Sequence, residues 1–325
     1  MSRTFYSFVL FLSIFWGTPS YFCAAEDVKV TIGYFPNITH AHALIAQNMT
    51  VNGDGWFEQR IPEIHFEWIS FNAGPSAMEA LFAKAVNVTY VGPNPALNAY
   101  IRSGGSGLYV VSGAVRGGAA LVVPEGSYSA MPKDFAGKRI ATPQLGNTQD
   151  IACRNWFLQA GMLVTMTGGD VQIIPTANAS IFSLFATGKI DAAWTVEPWV
   201  SRLEMEAGGK IVYAEPEESS ITTVLVASND FIDEHPDIVK KFVAAHEELN
   251  TWILEHPEEA RQRVADELTR QTRRKFPLAL VERAWPRLVF NTLINTENFS
   301  MALQAAQRAN FIKENPDLSG LVIHP

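Results

Sequence analysis

The sequence predicts an α/β protein of two lobes, built on mixed, mostly parallel sheets and joined by two strands. Three observations predict it. Apolar strands alternate with amphipathic helices from residue 28 onward, the alternation restarts after Pro124, and the chain beyond residue 228 reads as almost wholly helical. Strands are read at Val28–Phe35, His65–Phe71 and Val86–Val91, then at Leu108–Val115 and Ala119–Val123, which flank Arg116-Gly117-Gly118. After Pro124 come strands Arg139–Thr142, Val171–Pro175, Ala192–Val196 and Lys210–Ala214, with helices over 148–160 and 179–187. A polar stretch, Glu215–Ser220, precedes one more apolar strand, Thr222–Ala227. Helices then fill Asp233–His256, Pro257–Thr269, Pro277–Val289 and Thr296–Ile312. Such alternation argues for βαβ units. The second block sits inside the first. Lobe 1 is expected over 26–123 and 216–325, lobe 2 over 124–215, with strands 119–123 and 222–227 as the crossings.

An apolar share of 47% with 18% charged residues is that of a globular chain and argues against disorder. The first residues differ. Met1-Ser2-Arg3 is a short basic start, and Phe5–Trp16 is an apolar run too short to span a bilayer comfortably. Gly17, Pro19 and the small residues Cys23-Ala24-Ala25 follow. This is the pattern of a cleavable secretory leader over residues 1–25. Phe22 stands where a lipid-attachment motif wants a small residue, so lipidation of Cys23 is the lesser expectation. After cleavage Cys153 is the remaining cysteine, which excludes an internal disulfide. The leader carries Arg3 and no acid, so the net charge of −8 becomes −9 without it. An acidic exported chain is a poor partner for nucleic acid. Any bound anion would have to be held by local dipoles and hydrogen bonds.

Ligands of open parallel sheets bind where strand C-terminal ends meet helix N-termini. Five loops fit that place: Pro36–His40, Asn72–Ser76, Gly92–Pro95, Gly146–Gln149 and Glu197–Trp199. The fourth is the most informative. Arg139–Thr142 runs into Gly146-Asn147-Thr148-Gln149 and straight into a helix. Asn147 or Thr148 can cap that helix, and Gly146 allows close approach of the backbone. The turn is open to two readings, an ordinary capped turn or an anion site on unpaired N–H groups. His40 can donate to an anion or cap its own turn, and its spacing from His42 makes a poor metal pair. Trp194 can stack on a ligand or pack in the core. Glu197 can accept from an N–H or orient another side chain. Arg116 can offset an anion or pair across the lobes. No Walker loop, His-Glu-x-x-His, Gly-x-Ser-x-Gly or Cys-x-x-Cys motif occurs. No catalytic residue, metal or cofactor is expected.

The segments GYFPNITHAHAL (33–44), FNAGPSAMEALFA (71–83), YVGPNPALNAY (90–100), SGAVRGGAALVV (112–123), TPQLGNTQDIA (142–152), DAAWTVEPWVSRL (191–203) and TTVLVAS (222–228) together resemble a known family. It is the nitrate/sulfonate/taurine group of periplasmic solute-binding proteins, the receptor subunits of ABC importers. The resemblance covers nearly all of residues 28–312. It implies a type II-like periplasmic binding protein fold with a two-strand hinge, closing on a small anionic solute. The implied partners are permease subunits, and the implied state is a monomer in the periplasm. Carried over by position, the ligand contacts would be Asn37, His40, Ser76 and Asn94 in the first lobe. In the second they would be Gly146, Asn147, Thr148, Gln149, Trp194 and Glu197. Receptors for thiamine-pyrimidine precursors share the fold, as do pyrimidine-forming enzymes, which carry a cysteine-rich metal motif that a chain with two cysteines lacks. The effector domain of a transcription regulator would need a helix-turn-helix where the leader stands.

Overall fold

The computed structural model describes Met1 and residues 28–126, 131–216, 220–313 and 315–325. Apart from Met1, the expected leader and Cys23 lie outside the described residues. The chain opens with β1 (Val28–Tyr34), then α1 (Ala41–Asn52), α2 (Trp56–Arg60), β2 (Ile64–Ser70), α3 (Gly74–Phe82), β3 (Val88–Val91), α4 (Pro93–Arg102) and β4 (Leu108–Gly117). The second lobe carries β5 (Ala119–Pro124), β6 (Arg139–Thr142), α5 (Thr148–Gln159), β7 (Val164–Thr165), β8 (Val171–Pro175), α6 (Asn178–Ala186), β9 (Ala192–Val196), α7 (Trp199–Glu206) and β10 (Gly209–Ala214). The return strand β11 (Ile221–Ser228) leads to α8 (Asn229–Glu234), α9 (Pro236–Glu255), α10 (Pro257–Thr272), α11 (Leu278–Ala284), β12 (Leu288–Phe290) and α12 (Ser300–Arg308).

Two six-stranded sheets result, in the orders β12-β4-β11-β3-β1-β2 and β10-β5-β9-β6-β8-β7. The central strands are buried without alternation, because helices cover both faces. In α1 every residue from Ala41 to Met49 is buried. Ala41, Ala43 and Ala46 keep that helix thin enough to lie between the first sheet and the C-terminal helices. Val239, Phe242, Leu249 and Ile253 of α9 and Val264 and Leu268 of α10 supply the facing stripe.

Several expectations need correction. Of the described strand pairs, five are parallel and five antiparallel, so parallel pairing is half rather than most. Strands that carry the chain between sheets run against their neighbours, and strand–helix alternation gives no signal for them. The change of sheet falls at Gly117-Gly118, so β5 belongs to the second sheet from Ala119, which pairs with Val196. The expected helix Pro277–Val289 stops at Ala284. Pro286 cannot continue it, and Leu288–Phe290 instead pairs with β4 at the sheet edge. Pro236 likewise splits the helix expected from Asp233. The two-residue strand β7 was too short to read in the sequence.

The first lobe buries three histidines in neutral form. His246 donates from Nε2 to the Gly113 carbonyl at 2.8 Å and accepts from the Tyr90 hydroxyl at 3.0 Å, and His42 meets Asn250 at 3.0 Å. Burial lowers His40 from 6.5 to about 3 and His246 to about 4, and holds His42 well below the usual range. The unfolded chain binds these protons below pH 6.5 and the folded chain does not. Stability is therefore complete above pH 6.5 and falls as the pH drops toward 4, by about 1.4 kcal/mol per pH unit for each histidine. Burial raises Glu197 and Glu215, which opposes and reduces the net slope. Denaturant midpoints measured between pH 7 and 5 should fall with pH. A flat profile would contradict the buried neutral state.

Candidate functional site

The turn after β6 is wired by one buried acid. Asp150 accepts from the Thr142 hydroxyl at 2.7 Å, the Gly146 N–H at 3.0 Å and Arg154 Nε at 2.9 Å. Its own N–H is taken by the Asn147 side chain at 2.8 Å, which makes Asn147 the N-cap of α5. Gly146 has φ +75°, and a Cβ there would meet the Phe311 ring at 3.1 Å. The Ile151 N–H bonds to Asn147 O. Among the described residues, this leaves the amides of Thr148 and Gln149 outside the turn's own bonding, at the electropositive end of a 12-residue helix.

Those two residues face a small cavity between the lobes. Asn147, Thr148 and Gln149 line it from the second lobe, and Asn37, Thr39, His40 and Thr222 from the first. Its volume is about 20 Å³, room for a single water. Among the described residues no Lys, Arg, Asp or Glu borders it. The Thr148 Oγ1 is buried and has no hydrogen-bond partner in the protein. His40 accepts the Phe35 N–H at Nδ1, 3.3 Å away, which puts its proton on Nε2. With its pKa at about 3, it offers a neutral donor rather than a charge. Gly92 closes the wall opposite Thr148. Its φ of −70° suits any residue, yet a Cβ there would run into the Thr148 hydroxyl. The lobes meet this closely because position 92 has no side chain.

The structure thus brings Asn37, His40, Asn147, Thr148 and Gln149 together and places the other expected contacts elsewhere. Gly146 borders a different, surface groove, and its N–H is committed to Asp150. Ser76 is half-buried on α3 and does not border the cavity. Asn94 points toward α12, donating to Ala302 O at 3.1 Å. Trp194 packs against Trp156 and Tyr213 in the second-lobe core, with its indole N–H donated to Glu215 at 2.7 Å. Arg116 lies on β4 and donates to Leu293 O at 3.2 Å. Thr39 and Thr222 are cavity residues that the sequence did not single out. Both lay within segments quoted above, but a threonine at a strand or helix start has too many structural uses to stand out.

Glu197 is fully buried and satisfied by protein groups. Its carboxylate accepts from the Ser201 N–H and hydroxyl, each at 3.0 Å, and from Arg287 Nη1 at 2.6 Å. Arg287 reaches it from beside β12, and its other arm bonds Glu204 at 2.6 Å. The Glu197 carbonyl accepts the Ile38 N–H at 3.1 Å, and Trp199 Nε1 donates to Asn37 Oδ1 at 3.2 Å. Glu197 is a tie between lobes, and through Asn37 this tie reaches the cavity wall.

A family model described as the NMT1-like family matches residues 23–269. The chain belongs to the NMT1-like family. It is similar to a putative binding protein of Brucella abortus (strain 2308), 26% identical over 194 residues, and spans 58% of that protein's length. It is 24% identical over 241 residues to the taurine-binding periplasmic protein of Escherichia coli (strain K12), covering 72% of this chain and 69% of that one. Among solved structures it resembles the alkanesulfonate-binding protein SsuA of Xanthomonas axonopodis pv. citri bound to MOPS. The TM-score is 0.73 at 20% identity, over 93% of this chain and all of that one. The fold of this NMT1-like chain is therefore the two-lobed fold of periplasmic binding proteins.

Replacing Arg287 by Leu would strand the Glu197 charge in the interior. Denaturant unfolding should show a loss of about 3 kcal/mol, with part regained when Glu197→Gln is added. A loss below about 0.5 kcal/mol, the range of ordinary surface changes, would remove this pair from the interlobe tie.

Proposed function

We propose that this chain is the exported receptor of an ABC importer, a binding protein rather than an enzyme, whose lobes close on a small oxyanion at the N-terminus of α5. The observation that carries this is the Thr148 hydroxyl, buried without a protein partner in an interlobe cavity lined by uncharged donors. The Thr148 and Gln149 amides, the Asn37 and Asn147 side chains and the neutral His40 N–H supply hydrogen bonds. The helix dipole favours negative charge at the same point. An oxyanion bound this way gains no full ion pair, which suits a receptor that must release what it carries.

In this reading the lobes are 28–117 with 221–325, and 119–214, and they turn about the two links between them. A cavity of about 20 Å³ is the closed limit of that motion, so entry requires the lobes to part. The names of the relatives, taurine-binding and alkanesulfonate-binding, support a sulfonate over other oxyanions. The leader over 1–25, a periplasmic location, a monomeric state and delivery to permease subunits complete the proposal.

Titration of the purified protein with taurine, alkanesulfonates, nitrate and bicarbonate, read by tryptophan fluorescence and thermal shift, tests it. A sulfonate should bind, and the double change Thr148→Ala with Gln149→Ala should weaken it about 10- to 100-fold, the range for hydrogen bonds to a charged group. Unchanged affinity in a folded double variant would remove the Thr148 hydroxyl, the observation that carries the reading, from the binding site. Failure of every oxyanion to bind would overturn the ligand class.

A further inference from the structure

A second cavity, of about 250 Å³, opens on the far side of Thr148, which borders both spaces. Trp156, Trp194 and Tyr213 form its second-lobe wall, and Asn94 and Met301 face them from the first lobe. The three rings pack with centroids 5.3 to 5.9 Å apart. Glu215 lies beside them. Trp194 Nε1 donates to it at 2.7 Å, and among the described residues no Lys or Arg pairs with it. Among the described residues bordering the cavity it is the one carboxylate, and no described basic side chain accompanies it.

This arrangement differs from that of the three acids fully buried among the described residues, Asp150, Glu197 and Glu267. Asp150 has Arg154, Glu197 has Arg287, and Glu267 has Arg270. Glu215 as a residue is partly exposed, but its carboxyl lies in a buried setting that pushes its pKa up, with only hydrogen bonds to oppose the shift. A carboxylate so placed is costly without a counter-charge. Aromatic rings beside an unmatched carboxylate, around a space too large for an anion contact alone, have the chemistry that recognises an ammonium group.

We propose that this cavity takes the cationic nitrogen of a zwitterionic ligand whose oxyanion sits at the N-terminus of α5, and that Glu215 sets the preference for that charge. The inference rests on the receptor reading above. Thr148 stands at the junction of the two subsites, with its hydroxyl free for the oxyanion. The volume leaves room for substituents on the nitrogen.

The test compares two probes that differ only in NH₃⁺ against CH₃, taurine and propane-1-sulfonate, by calorimetry on the full chain. Taurine should bind at least about tenfold more tightly. Glu215→Gln keeps an acceptor for the Trp194 N–H, and in that variant the ratio should collapse toward one. Equal affinities in the unaltered protein overturn the proposal and leave the oxyanion reading standing, because both sulfonates still bind. A ratio unchanged by Glu215→Gln removes Glu215 from the selection and overturns the proposal equally. Binding of neither sulfonate overturns the proposal, and the receptor reading is then decided by the nitrate and bicarbonate titrations above. The comparison in the unaltered protein decides the matter even where the variant fails to fold.

Discussion

The buried carboxylate of Glu197 is the constraint on which the interlobe geometry depends. It sits at the end of β9 with no exposure to solvent, and it must be matched where it stands. Ser201 matches it from the first turn of α7, where the helix dipole also favours an anion, and Arg287 matches it from the opposite lobe. The same peptide accepts the Ile38 N–H, and Trp199, two residues on, reaches Asn37. Position of the lobes, placement of Asn37 and direction of the α7 start are thus one connected arrangement. Leaving it costs the pairing of a charge that has no water to turn to.

The cavity is built on the opposite principle. No charged side chain among the described residues borders it, although Asp150 and Arg154 lie directly behind the turn. That ion pair is spent on shaping the turn, so the amides of Thr148 and Gln149 point outward. Gly92 then permits approach from the first lobe to a distance that any side chain would prevent. On the proposed function, an anion held here by amides and hydroxyls in an acidic protein would gain enough to bind and little enough to leave. The neighbouring cavity reverses the polarity, with an acid that has no cationic partner among the described residues.

What the sequence revealed follows from how local each feature is. The cap at Asn147, the glycine at 146 and the strand before them are fixed within about one helical turn, and they were readable. Asn37 and His40 were readable for the same reason. The role of Glu197 was not, because its partner Arg287 lies 90 positions away at the end of a helix that Pro286 shortens. The antiparallel half of the pairing, including β12, was hidden because edge and crossing strands carry no distinctive period. Trp194 could be read as core or ligand contact, while Glu215 stood only as part of a polar stretch. Only the fold places both beside Tyr213, with no cation paired to Glu215 among the described residues.

On the proposed function, the lobes close on an oxyanion through the contact of Gly92 with Thr148. Small-angle X-ray scattering of the purified protein with and without saturating sulfonate measures that closure most directly. The radius of gyration should be larger without ligand and contract on adding it, and a Gly92→Ala variant should stay expanded under the same conditions. A protein whose radius is unchanged by bound sulfonate, or a Gly92→Ala variant that contracts like the unaltered chain, would contradict it.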